Sequence, residues 1–168
     1  MRASFIIIAS IWIVSLAAPT AAELNVPVAT RVISFLQLPP SGPIQAAIIF
    51  APGNDDSVAE AAAIERAISA SKGRLRTRRI TANALAGLPG AQVAFVTVGL
   101  RAEQDEIAQA ATRAHTVTIT SDQSCVTSGR CVVAIATSPR VQITVNRAAA
   151  RAVDAKFGSA FLMLVKEI

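Results

Sequence analysis

Two strand-length runs, Ile44 to Ala51 and Ala91 to Val98, are dominated by apolar and β-branched residues. A strand of that kind has no side to turn toward water, so it must be covered on both faces. Helices do this in parallel sheets. The sequence between and after these runs supplies the covers. Ser57 to Ala70 places Val58, Ala61, Ile64 and Ile68 on one helical face, and Glu103 to Arg113 is a second helix rich in Ala and Gln. Arg74 to Ile80 reads as an edge strand, its charges guarding an open edge. Ala82 to Ala86 is a short helical turn, and Thr116 to Thr120 alternates as a further strand. Such alternation of strand and helix predicts an α/β fold, a Rossmann-like three-layer sandwich with a mostly parallel sheet.

The flanks differ from this pattern. Val26 to Leu36 has helical spacing, with Val28, Val32, Phe35 and Leu36 apolar, and Pro39 to Pro43 ends it. At the other end, Cys131 to Thr137 and Arg140 to Asn146 are joined by Ser138-Pro139, which predicts a C-terminal antiparallel hairpin. Arg147 to Val153 is expected to be helical. Phe157 to Lys166, mostly apolar, is expected to be a closing helix packed on the sheet.

The first residues point to export. Arg2 precedes an apolar stretch, Phe5 to Leu16, broken only by Ser10 and Ser15, and the small residues 17–22 follow. This is the layout of a signal peptide, with Thr20 and Ala22 placing a cut before Glu23. The apolar part is about twelve residues, short of the ~20 needed to span a bilayer. The expected organisation is therefore a cleavable segment, residues 1–22, and one domain, residues 23–168, in the periplasm.

An exported chain with two cysteines, Cys125 and Cys131, is expected to join them. Their C-x5-C spacing is not that of a redox pair, and the segment between them reads as a loop. The formal net charge of +5 falls by one with Arg2. Five cations cluster at Lys72, Arg74, Arg76, Arg78 and Arg79. Nucleic acid is not expected as a partner outside the cytoplasm. Arg74, Arg76 and Arg78 are candidates for contact with an anionic lipid headgroup, cell-wall polymer or acidic protein, or form the solvated face of a strand.

Catalytic patterns are missing from the sequence. His115 is the one histidine, too few for a His metal cluster. There is no G-x-S-x-G and no Walker A spacing. His115 and Ser121 would lie about 20 Å apart on an extended strand. Asp55 or Asp56 is expected to cap the helix after the first apolar strand. The loop Gly53 to Ser57 sits where parallel sheets bind ligands, although two adjacent aspartates would repel an anion.

The strand His115 to Asp122, the Cys125–Cys131 segment, the strand Val141 to Asn146, the alanine-rich Arg147 to Arg151 and the apolar Phe157 to Leu164 follow in an order that resembles the YfiR family of exported bacterial proteins (the DUF4154 family). The resemblance covers roughly Val26 to Ile168. It implies a periplasmic regulator that binds the periplasmic sensory domain of an inner-membrane diguanylate cyclase and holds it inactive, restraining cyclic-di-GMP synthesis and biofilm formation. It also implies a protein able to form a homodimer, with the family's C-terminal disulfide at Cys125 and Cys131, while the missing catalytic and metal patterns lead us to expect no enzymatic activity, cofactor or metal. Some members carry a second cysteine pair, which this chain lacks. Exposed apolar residues of the first helix, Val28, Val32 and Phe35, are the expected partner contacts. The alternative expectation is a small periplasmic solute-binding protein linked to a transporter or sensor.

Overall fold

The computed structural model describes residues 23–37 and 42–168. The expected signal segment, residues 1–22, lies outside the described residues, as does most of the Pro-rich turn after the first helix. The elements run α1 (Val26–Ile33), β1 (Ile44–Phe50), α2 (Asp55–Ala70), β2 (Leu75–Thr81), β3 (Val93–Val96), α3 (Gln104–Ala114), β4 (Val117–Thr120), α4 (Gln123–Thr127), β5 (Val133–Ala136), β6 (Gln142–Val145), α5 (Arg147–Ala152), α6 (Ser159–Leu162) and β7 (Lys166–Glu167).

They form one seven-stranded sheet in the order β2-β1-β3-β4-β5-β6-β7. Neighbouring strands are parallel except for the antiparallel pair β5–β6. The expected α/β architecture is therefore present, with β2 at one edge. Right-handed crossovers account for the layers. The β1–α2–β2 unit moves outward in one direction and β3–α3–β4 in the other, so α2 and α3 cover opposite faces. Between them Ala46 to Ile49 of β1 and Phe95 of β3 are wholly buried.

The threonines of β4 qualify what alternation means. Val117-Thr-Ile-Thr alternates, yet all four residues are buried. Their hydroxyls are hydrogen-bonded inside: Thr118 Oγ1 accepts the Val132 N–H at 2.9 Å and Thr120 Oγ1 accepts that of Asp122 at 3.0 Å. A short hydroxyl tied to backbone can thus occupy a face that a charged side chain could not.

Several local expectations are corrected. The residue that caps α2 is Asn54, whose side chain accepts the Ser57 N–H at 3.0 Å, while Asp55 and Asp56 occupy the first turn. Their charges complement the helix dipole there. The C-cap of α2 is Ser71. Cys125 lies in the helical turn α4 rather than in a loop.

The predicted closing helix, Phe157 to Lys166, is the largest difference. It is helical for one short stretch, α6, and then runs as β7 alongside β6, Thr144 opposite Lys166 and Val145 opposite Glu167. The Ile168 N–H donates to Val145 O at 3.0 Å and the Arg147 N–H to Ile168 O at 2.9 Å. These bonds satisfy the edge of β6, a gain that helical periodicity cannot reveal. Only part of the segment packs: Phe157 and Phe161 are buried, whereas Met163 and Leu164 are 86% and 80% exposed.

Cys125 and Cys131 form the expected disulfide, with Cα atoms 5.2 Å apart, and both residues are completely buried. It ties α4 to the start of β5 across a sequence separation of 6. Closing so short a loop removes about 2 kcal/mol of unfolded-state entropy. Replacing both cysteines by alanine is expected to lower the denaturant-unfolding free energy by about that amount. Reductant should then have no further effect on the variant.

Candidate functional site

The carboxyl ends of the parallel strands bring together residues that are distant in sequence. Strand order reverses between β1 and β3, the place where open α/β sheets bind ligands. A crevice of about 420 Å³ opens there, lined by Ala51 to Asn54, Ala82, Asn83, Gly99, Glu103 and Glu106. Gly99 has φ +79°, and a Cβ on it would lie 2.9 Å from Asn54 Cγ. Only glycine fits both the backbone and the Asn54 side chain that caps α2. Glu103 Oε2 is buried without a hydrogen-bond partner among the described residues. Asp55 and Asp56 are exposed and do not line this crevice.

Beneath it lies a polar knot. The Ala51 N–H donates to Ser57 Oγ at 2.9 Å, and Ser57 Oγ meets Thr97 Oγ1 at 2.6 Å. Thr97 in turn donates to Ile49 O at 3.0 Å. Thr97 spends its proton on Ile49, so Ser57 is the donor to Thr97, and neither hydroxyl is free to act as a nucleophile. Glu60, 5% exposed, accepts the Leu24 N–H on Oε1 at 3.0 Å and the Val98 N–H on Oε2 at 2.6 Å. Ser121 Oγ donates to Oε1 at 3.4 Å. Burial pushes the Glu60 carboxyl above its ordinary value of 4.5, against the opposing pull of the Val98, Leu24 and Ser121 hydrogen bonds. This group joins the entry of α1 to α2 and to the loops after β3 and β4.

The motif residues that carry the family resemblance prove to be such ties. Ser121 reaches Glu60 rather than His115. Asp122 caps α4, receiving the Ser124 N–H at 2.9 Å, the Ser124 hydroxyl at 2.6 Å and Gln104 Nε2 at 2.9 Å. Partial burial would raise its carboxyl, but these donors hold it below the usual carboxylate range. Asn146 caps α5 through the Ala149 N–H at 2.9 Å and donates to Val126 O at 2.9 Å. His115 ends α3 with φ 52° and pairs with Asp154 at 2.9 Å, both side chains exposed. No group of three or more His, Cys, Asp or Glu residues able to hold a metal occurs among the described residues.

The predicted partner contacts on α1 separate. Val32 is 1% exposed and belongs to the core, which corrects its place among exposed residues. Its position puts it on the face turned toward the domain. Val28 and Phe35 are half-buried. Phe35 stacks on Phe161 at 5.0 Å, and Phe161 contacts Phe157 at 5.3 Å. The end of α1 therefore adjoins the C-terminal segment, tied by the Gly158 N–H to Phe35 O at 3.1 Å and the Gln37 N–H to Lys156 O at 2.8 Å. Met163 and Leu164 are the exposed apolar residues here. No sequence signal marks them out from the buried Phe161 two positions earlier.

The arginines on and just before β2 are held by backbone carbonyls. Arg74 donates to Gly42 O, Arg76 to Gly73 O and Leu75 O, and Arg78 to the carbonyls of Gly87, Leu88 and Pro89. Only Arg79 of this strand meets a carboxylate, that of Glu65 at 2.5 Å.

This arrangement defines an α/β domain with a doubly covered sheet, a crevice at its switch point and an apolar C-terminal margin. Residues 22–166 match the DUF4154 family, described as YfiR/HmsC-like, and the chain belongs to that family. No curated protein matches it. Among solved structures it is similar to a conserved domain protein from Vibrio cholerae O1 biovar El Tor, at 14% identity and a TM-score of 0.71, over 86% of this chain and 60% of that one. It is also similar to a ligand-free, open substrate-binding protein with adhesive properties from Clostridium difficile (12%, 0.66, 86% and 58%). A third is the ABC domain in complex with L-Trp from Streptococcus pneumonia (7%, 0.64, 84% and 58%). At these identities the likeness shows the fold alone, and the chain spans 58 to 60% of the length of these three structures.

The Glu60 geometry sets a pH dependence. The native carboxyl titrates above its unfolded value, so its favourable contribution is complete below 4.5 and is lost as pH rises through the native value. Relative to Glu60→Gln, which stays neutral, the wild-type chain is expected to gain stability as pH falls from neutral toward 4.5. Denaturant unfolding of both proteins across that range measures it. A stability difference that moves the other way would contradict the assignment.

Proposed function

We propose that this chain is an exported regulator that binds the periplasmic sensory domain of an inner-membrane diguanylate cyclase and holds it inactive, restraining cyclic-di-GMP synthesis and biofilm formation. Membership of the YfiR/HmsC-like family supports a regulatory binding role. The observation that carries the interface is the exposed pair Met163 and Leu164, 86% and 80% accessible. The pair follows the Phe35–Phe161 stack and precedes the edge strand β7. Large apolar side chains presented together beside a sheet edge favour a protein partner. Phe35 flanks this surface from the end of α1, and Val28 and Val32 lie on the preceding turns of that helix. Repression then requires that the partner's inactive conformation bind this surface more tightly than its active one.

Met163→Asp with Leu164→Asp is expected to abolish crosslinked capture of the cyclase from membranes and to raise cellular cyclic-di-GMP to the level of a strain lacking the protein. Because both side chains are exposed, the unfolding free energy should change by no more than about 0.5 kcal/mol. A variant that still represses would remove this surface from the interface.

The crevice between β1 and β3 favours a second reading, a small solute-binding protein linked to a transporter or sensor. That reading expects a saturable rise in Tm with a small solute, lost on Glu106→Gln. No rise across a panel of amino acids and polyamines would argue against it.

A further inference from the structure

The arginines of β2 are oriented without being neutralised. Arg76 and Arg78 are spaced by two along β2, so they share one side of it, and Arg74 directly precedes the strand. All three are exposed, as is Lys72. Arg79, of opposite parity, turns to Glu65 of α2. Among the described residues the others meet only backbone carbonyls: Arg74 donates Nε and Nη2 to Gly42 O at 3.0 and 2.6 Å, and Arg78 donates Nη2 to Gly87 O and Pro89 O, both at 2.8 Å. A carbonyl fixes a guanidinium in place but brings no formal charge. Each guanidinium has five N–H donors, so several remain for the paired oxygens of a phosphate. Protection of an edge against strand pairing needs charge there, not charge held in a row.

We propose that this edge docks on the anionic phospholipid headgroups of a bilayer, with β2 lying against the surface. The buried disulfide suits an oxidising compartment, where nucleic acid is not the extended anionic array available and a phospholipid surface is. β7 closes the opposite edge of the sheet, six strand spacings or about 29 Å away. Met163 and Leu164 precede β7, at the edge of the sheet opposite β2. The inference stands independently of the cyclase reading, since vesicles alone test it.

The experiment is flotation of the protein, as processed by an exporting cell, with phosphatidylcholine vesicles with and without phosphatidylglycerol. Binding is expected only with phosphatidylglycerol and should weaken with added salt. Each of Arg74→Gln, Arg76→Gln and Arg78→Gln should reduce it about fivefold. The triple change of these arginines to lysine, which keeps charge but not the guanidinium fork, should bind more weakly than the wild type and more tightly than the triple change to glutamine. Lys72→Gln removes one charge and none of the carbonyl contacts, and carries the same fivefold expectation. Equal binding to both vesicle types would overturn the proposal. So would equal loss in the lysine and glutamine variants, or an undiminished Lys72→Gln protein.

Discussion

Burial of the central strands on both faces is the constraint from which the rest of this domain follows. β1, β3 and β4 cannot turn a side to water, so each must be flanked by strands and covered above and below. Covering both faces requires crossovers in two directions, and right-handed connections then place α2 and α3 on opposite sides. That reversal of direction is also what opens the crevice between β1 and β3. The architecture and this crevice share a single cause.

Burying so much backbone obliges the chain to satisfy polar groups where strands end. Glu60, Ser57, Thr97, Thr116, Thr118 and Asn146 are all buried and all hydrogen-bonded. Glu60 is the costliest of them, a carboxylate kept inside by two backbone N–H groups. The Ser121-Asp122 and Asn146 signatures serve the same purpose, capping α4 and α5 and joining them to neighbouring elements. Their roles are structural.

The two sheet edges are managed by different means. β2 carries arginines, and these guanidiniums also hold the loops beside it. β7 is only two residues long, Lys166–Glu167, which leaves little edge open to another strand. The most exposed large apolar residues, Met163 and Leu164, lie before this short strand, where α6 ends. The molecule thus has a cationic edge and an apolar margin on opposite sides of one sheet.

The sheet, its largely parallel sense, the hairpin, the β2 edge and the disulfide were legible from the sequence because each rests on a local cause. Unbroken apolar runs demand two covers, turn residues set the hairpin, and two cysteines in an oxidising setting pair. The cap at Asn54 was misread for its neighbour because Asp and Asn are both good caps, and only backbone dihedrals choose between them. Val32 and Leu164 were misplaced for a related reason. Periodicity says that apolar residues share a face, not which neighbour that face meets. The C-terminal segment was least legible, since a short apolar run is compatible with helix or strand. Its course was decided by the unpaired backbone of β6, which offers hydrogen bonds to whichever segment lies alongside. What the sequence by itself determined is therefore where chain must be buried; which surfaces remain open, and so where partners can bind, was decided only when tertiary packing used up the rest.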